Sequence, residues 1–446
     1  MRYPPKPKSR ANKVSLWRYM KAFKQDILSA QPERLYRARM AEFKTPFFRS
    51  FLINEPELIQ AVLKSRPDDF PKSDRIGEGL RPLLGNSVFL TNEEIWKSQR
   101  RIIDPAFEGG RLRETYAAMY QASQAMCQRL SEGVHEIEEL ASFGAADVIF
   151  RTLFSIPIED EIAAEVFHEF HNYQREQPIL NLAAFVPLPG WMPRFHSRRT
   201  KRSAAKIRSL ITNLTLKRMG EIRAGTAPSD LATKIMTTED PETGQTFDVE
   251  DMVDQVAIFF LAGHETSASA LAWSLYLLAM FPDWQEKVAD EAKNLTSDFS
   301  SIRQLRVTRD VFRETLRLYP PVPMMVREAE KAESFRGRDV KKGSSIVISP
   351  WHLHRNNRYW NNPDGFDPKR WQGDEAHCPK EAYLPFSAGS RVCPGAGFAM
   401  IEGPLMMASI LQKFKLSCEG LPVPVPVAHL TVRAKNGITL KCERRS

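Results

Sequence analysis

Pro385-Phe386-Ser387-Ala388-Gly389-Ser390-Arg391-Val392-Cys393-Pro394-Gly395-Ala396-Gly397 decides the reading of this chain. One cysteine stands among glycines, after an aromatic and before an apolar stretch with helical spacing. Glycine lets backbone pass close to a large flat ligand and takes up positive φ. Gly395 would let backbone N–H groups point back at the sulfur. Such donors, a following helix N-terminus and a metal all favour thiolate over thiol. Phe386 can cover the sulfur, and Arg391 can reach an anionic edge of the ligand. A lone cysteine is more often a small core residue, but a surround this long and specific points to a metal ligand.

Outward from this loop the chain reads as mainly α with a minor β part. Helical spacing covers residues 14–30, 92–107, 111–130, 138–154 and a strongly basic stretch 197–223. The longest candidate opens at Asp248, which can cap, and stops at Pro282. A helix that long and that apolar must run through the middle of a large protein. Another covers about 302–319 and ends at Pro320-Pro321. β-like pieces fall at 46–53, 333–335, 345–349, 430–432 and 437–442. No linker or repeat divides the chain. The expectation is one large domain over 13–446 behind a disordered basic tip, 1–12.

Further groupings accompany the cysteine loop. Trp96 and Arg100 lie four apart and share a helix face. Ala262-Gly263-His264-Glu265-Thr266-Ser267 sits inside the long helix. Gly263 costs about 1 kcal/mol there relative to Ala, and Thr or Ser can bond back to helix carbonyls and bend the helix. Small residues in a helix serve equally for a ligand space or for a helix–helix contact. Glu314-Thr315-Leu316-Arg317 places an acid and a base on one face, and Arg370 follows in Phe366-Asp367-Pro368-Lys369-Arg370-Trp371.

This set, in this order, resembles the cytochrome P450 family. The loop matches the family pattern Phe-x-x-Gly-x-Arg-x-Cys-x-Gly at Phe386, Gly389, Arg391, Cys393 and Gly395. The resemblance implies haem b with Cys393 as the iron ligand and a long central helix over the haem. It puts Trp96, Arg100, Arg391 and Arg327 toward the haem propionates, with Ala262, Phe386 and Gly395 also at the cofactor. Glu265 and Thr266 match the acid–alcohol pair that delivers protons, Glu265 at the edge of the distal pocket. Glu314, Arg317 and Arg370 would form a buried network supporting the fold. Leu83, Val88, Ile258, Phe259, Ala262, Val322, Met324 and Met325 would line the substrate pocket. Apolar and bulky, that set suits a terpenoid, steroid, fatty or aromatic molecule.

The activity so implied is insertion of one oxygen atom from O2 into a lipophilic substrate. No flavin or iron–sulfur segment is evident, so electrons are expected from a ferredoxin with its reductase, docking where basic residues cluster. Two other readings share the thiolate: a peroxide-using enzyme and a non-catalytic haem carrier. The Glu265–Thr266 pair argues against the first, because such relatives often lack it, and retention of Thr266 argues against the second.

Five cysteines, an odd number without CxxC spacing, suit a reducing compartment. No run of about 20 apolar residues offers a membrane span, so a cytoplasmic monomer is expected. The net charge of +9 is concentrated, with +10 in residues 1–50. No zinc-finger spacing or aromatic-basic pattern accompanies it, which excludes nucleic acid. The apolar loop 179–193 before the basic helix reads as a lid over the pocket, or as a segment dipping into a membrane surface. His168, His171, His264, His352, His354 and the His377-Cys378 pair show no metal-ligand spacing and read as structural or solvent-facing.

Overall fold

Asp248 opens the helix that organises the molecule: its carboxylate accepts from Asp251 N at 2.8 Å, and the Asp251 side chain returns the bond to Asp248 N. The helix runs Val249–Met280 without a break, about 48 Å at 1.5 Å per residue. Phe281 caps it, and Pro282 starts the next helix at a position where its missing N–H costs nothing.

The structure, a computed structural model, describes residues 2–44, 49–176, 197–373 and 378–445. In chain order the helices are α1 (Leu16–Gln25), α2 (Pro56–Gln60), α3 (Asp74–Gly77), α4 (Arg81–Leu84), α5 (Glu93–Ile103), α6 (Gly109–Gln128), α7 (Ile137–Phe154) and α8 (Glu161–Glu176). Then come α9 (Arg198–Arg223), α10 (Leu231–Thr237), α11 (Val249–Met280), α12 (Pro282–Ala292), α13 (Arg306–Leu318), α14 (Pro350–Leu353) and α15 (Ala396–Leu411). The strands are β1 (Met40–Lys44), β2 (Arg49–Ile53), β3 (Gly133–Glu136), β4 (Met325–Glu328), β5 (Glu333–Phe335) and β6 (Arg338–Val340). They continue with β7 (Ser345–Ile348), β8 (Phe414–Ser417), β9 (Pro426–Ala428), β10 (Val432–Ala434) and β11 (Thr439–Arg444). The main sheet has the order β1-β2-β7-β4, with β2 and β7 parallel. A second sheet is β3-β11-β8, and β9–β10 and β5–β6 are hairpins.

Two large hydrophobic clusters meet along α11. Its C-terminal half, Ala270 to Ala279, packs with α6, α7, α12, α13 and α15, and Trp273 stacks on Tyr319 with centroids 4.0 Å apart. Its N-terminal half, Met252 to Leu261, packs with α4, α7, α8, α9 and α10. The stretch Ala262–Ser267 falls between the two. This is why the helix can be apolar on most faces and still hold polar groups at its middle.

The N-terminal tip differs from the expected disordered leader. Pro4 and Pro7 are buried, Tyr319 Oη donates to Pro5 O at 2.8 Å, and Lys6 Nζ reaches Asp364 at 3.0 Å and the Tyr36 ring. Proline has no N–H to satisfy, so the leader lies on the body at small cost. The loop 179–193, read above as a lid or membrane segment, lies outside the described residues, as does His377. Among the described residues no helix is long and apolar enough to cross a membrane.

Candidate active site

A buried ion network comes first, because it sets the cysteine loop. Arg317 donates from Nε and Nη2 to Glu314 at 2.9 and 2.8 Å, and both side chains are fully buried. Glu314 also accepts from Arg370 Nε at 3.3 Å, Trp371 Nε1 at 3.2 Å and Asp367 N at 3.0 Å. Arg317 spends its remaining donors on the carbonyls of His354, Pro363 and Gly365. His354 Nε2 then accepts Leu384 N at 2.8 Å, two residues before Phe386. The chain from α13 to the loop is thus continuous in hydrogen bonds.

The loop itself is tight. Cys393 N donates to Phe386 O at 3.0 Å, which closes the turn. Gly389 takes φ +72°, and a Cβ there would come 1.8 Å from the Leu63 carbonyl oxygen. α15 begins three residues after Cys393, with Gly395 at its N-cap, so the sulfur sits near the positive end of a helix. Burial raises the Cys393 thiol pKa, while the Gly395 N–H and the cations Arg100 and Lys72 pull it down. Yet Cys393 keeps solvent-accessible surface. A metal at the sulfur would remove the proton outright.

Beside the cysteine stand four cations. Arg391 lies 3.8 Å over the Trp96 ring and donates to Thr91 O and Asn92 Oδ1, both at 2.9 Å. Arg100 covers the same ring at 5.9 Å, donates to Val392 O at 2.8 Å and pairs with Asp104 at 2.7 Å. Arg327, on β4, is 6% exposed, and burial lowers its pKa to about 10. Burial lowers Arg391 to about 10 as well, helped by Arg327 and Arg100. Lys72 bridges to Arg327 across an edge of the sheet; burial and then the three arginines push its pKa well down. So much mutually repelling charge in so little water is stable only beside an anion. Two carboxylates on the rim of a flat apolar group would supply it, and this donor set with Cys393 fits haem b.

Lys72 has no signal in the sequence. It joins the others because Asn92 takes its N–H at 3.1 Å and gives its own amide to Lys72 O, while also accepting from Arg391.

On α11, Ala262 is exposed and Thr266 half-buried, although the helix is buried on both flanks. Thr266 Oγ1 donates to Ala262 O at 2.6 Å, the back-bond that a mid-helix Thr makes. Gly263 serves helix packing: a Cβ there would come 3.0 Å from Ile149 Cδ1 of α7. The exposed edge of the helix here is at Ala262, with Thr266 half-buried beside it. Glu265 is buried and ion-paired with Arg433, a residue not singled out from the sequence. Burial raises the Glu265 pKa, while Arg433 and the Thr431 side chain pull it back. Ser267 Oγ donates to Glu402 of α15 at 2.7 Å.

The eight expected pocket residues divide. Leu83 is 0% and Ile258 4% exposed, both packed inside the second cluster. Val88, Phe259, Met324 and Met325 are half-buried, and Ala262 and Val322 are exposed. The histidines are structural where described. His352 bonds Ser349, and His264 bonds Ser142 at 2.6 Å. Burial lowers the pKa of His264, His352 and His354 to about 3. No cluster of three His, Cys, Asp or Glu suited to a metal occurs among the described residues.

A helical domain with one cysteine at the foot of a helix, under a long central helix and beside buried cations, defines a haem–thiolate protein. The cytochrome P450 family model matches residues 39–441, and the chain belongs to that family. It is 33% identical over 387 residues to cyclooctat-9-en-7-ol 5-monooxygenase of Streptomyces melanosporofaciens, covering 84% of this chain and 81% of that protein. It is 30% identical over 422 residues to cytochrome P450 4A14 of Rattus norvegicus (88% and 81% covered) and 28% over 418 residues to taurochenodeoxycholic 6 alpha-hydroxylase of Sus scrofa (88% and 82%). The fold superposes on the crystal structure of the cytochrome P450DA heme domain with a TM-score of 0.82 at 22% identity, covering 99% of this chain and 98% of that one. The protein is an oxidoreductase of the P450 monooxygenase type, with haem b as cofactor.

Proposed function

We propose that the enzyme hydroxylates or epoxidises a lipophilic molecule of the terpenoid, steroid, fatty or aromatic class. One oxygen atom of O2 enters the substrate; the other leaves as water with two electrons and two protons from outside. Haem with a thiolate ligand supplies O–O cleavage and oxygen transfer. The observation that carries the reading is the exposed edge of α11 at Ala262 and Thr266, with Glu265 next to it.

Cys393 would hold the iron, and Arg100, Arg327, Arg391 and Lys72 would neutralise the propionates. The Trp96 ring lies against both Arg391 and Arg100. Thr266 gives up its bond to Ala262 O to hold a water, and Glu265 passes protons toward it. Relatives named for cyclooctat-9-en-7-ol and a taurochenodeoxycholic substrate support a lipophilic class. The half-buried Met324 and Met325 suit an adaptable pocket.

The electron donor is a small acidic ferredoxin served by its own reductase. It docks over Ser390 and Val392, which are exposed; Lys64 packs beside Gly389, and the α6 start with Arg111 and Arg113 lies beside Gly397. Five free cysteines suit a monomer working in the reducing cytoplasm. The test is turnover of lipophilic candidates chosen by spectral binding. NAD(P)H, reductase, ferredoxin and O2 together should give product. Product from peroxide alone, with no gain from the electron donors, would reverse the assignment.

A further inference from the structure

A cavity of about 430 Å³ lies between the end of α6, the strand β3, the first turns of α7 and the middle of α8. Small-molecule sites begin at about 300 Å³. Leu130, Leu140, Phe143 and Phe167 give it an apolar lining, and Ser142 joins them. The central helix stands behind it. Ser142 Oγ and His264 Nε2 are 2.6 Å apart, and the Phe167 ring meets the His264 ring edge-on with centroids 5.5 Å apart. At about 100° per residue, His264 points roughly 160–200° away from Ala262 and from Thr266. The cavity therefore backs onto the face of α11 turned away from the exposed edge. Neither Cys393, nor the four cations beside it, nor Thr266 lines it.

The polar groups around the cavity offer more donors than acceptors. The Arg129 guanidinium lies 4.1 Å over the Phe143 ring, and among the described residues no acceptor meets it. His168, also at the cavity, has no partner among them either. Of the two acids in the lining, Glu136 is already committed: its oxygens accept from the backbone N–H groups of Glu138, Glu139 and Ile438. Glu139 is exposed, so water screens its charge. A guanidinium laid on an aromatic ring keeps its N–H edge free for a carboxylate in the same plane. The half-buried Phe143 and Phe167 below it gain only from a group that brings no polar atoms.

We propose that this cavity is a second ligand site, which takes an organic carboxylate with an apolar body. The head sits on Arg129 and His168, and the body lies against Phe143 and Phe167. The site is separate from the one over the haem and does not depend on which molecule is oxidised there.

The test is equilibrium dialysis of the ferric, haem-loaded enzyme against 2-naphthoate. The haem pocket is first filled with a saturating azole, whose nitrogen binds the iron and whose occupancy is followed by the shift of the haem absorbance. 2-Naphthoate should still bind, one per chain. Arg129→Leu should weaken it about 10–100-fold, the effect of losing a hydrogen bond to a charged group. His168→Ala should weaken it less. Both side chains are exposed, so both variants should fold and bind the azole as wild type does. 2-Naphthalenemethanol, the same body without the charge, should bind wild type and Arg129→Leu alike. The site is refuted if the azole removes all bound naphthoate, if none binds, or if Arg129→Leu holds it as tightly as wild type.

Discussion

Replacing Arg317 by Met tests whether the α13 network supports the haem loop. The substitution keeps most of the volume and removes the charge. Glu314 then loses two short charge-assisted bonds and keeps Arg370 at 3.3 Å, Trp371 and Asp367 N. The carbonyls of His354, Pro363 and Gly365 lose their donor. Because Glu314 and Arg317 are both 0% exposed, water cannot replace what is lost. Removing one member of a buried pair costs about 3–5 kcal/mol, or roughly two to four powers of ten in the folded-to-unfolded ratio. The surface pair Arg336–Glu55 is the control; Arg336→Met there should cost under about 1 kcal/mol. Urea unfolding of the haem-loaded protein, followed by tryptophan fluorescence and by haem absorbance, measures both. The haem signal should be lost first in Arg317→Met, since His354 links the network to Leu384 and the Cys393 loop. A cost no larger than that of the control, with haem content unchanged, would refute the argument.

Cys393→Ala should abolish the thiolate signature of the reduced carbon monoxide spectrum while the protein stays folded by circular dichroism. Thr266→Ala should keep that signature but divert electrons into peroxide, read as peroxide released per NAD(P)H consumed. Arg327→Leu should weaken haem retention in a transfer assay to apomyoglobin, yet leave the haem-free protein no less stable, because it removes one of four repelling cations. Burial raises Glu402 from 4.5 to about 8. A carboxyl shifted upward stabilises the fold below pH 4.5, and that contribution is lost as pH rises toward 8. Glu402→Gln, permanently neutral, should therefore match wild type in urea stability at pH 4 and exceed it at pH 9, by on the order of a few kcal/mol.

What the sequence determined by itself was everything written in local chemistry. Asp248, Asp251 and Pro282 bound the central helix, because caps and a missing N–H act within a few residues. The loop around Cys393 was legible because its glycines, aromatic and arginine lie within a dozen positions. Glu314, Arg317 and Arg370 were legible as a family pattern, and the structure adds why they matter: full burial turns a weak surface motif into a strong one. Tertiary structure alone decided the rest. Lys72 joins the anion site only because Asn92 brings it to Arg391, and Arg433 reaches Glu265 only because β10 docks on α11. Gly263 brings α11 close to α7, where an added Cβ would stand 3.0 Å from Ile149 Cδ1, a proximity that spacing alone does not show. Such contacts join residues far apart in the chain, where spacing carries no information and packing supplies all of it.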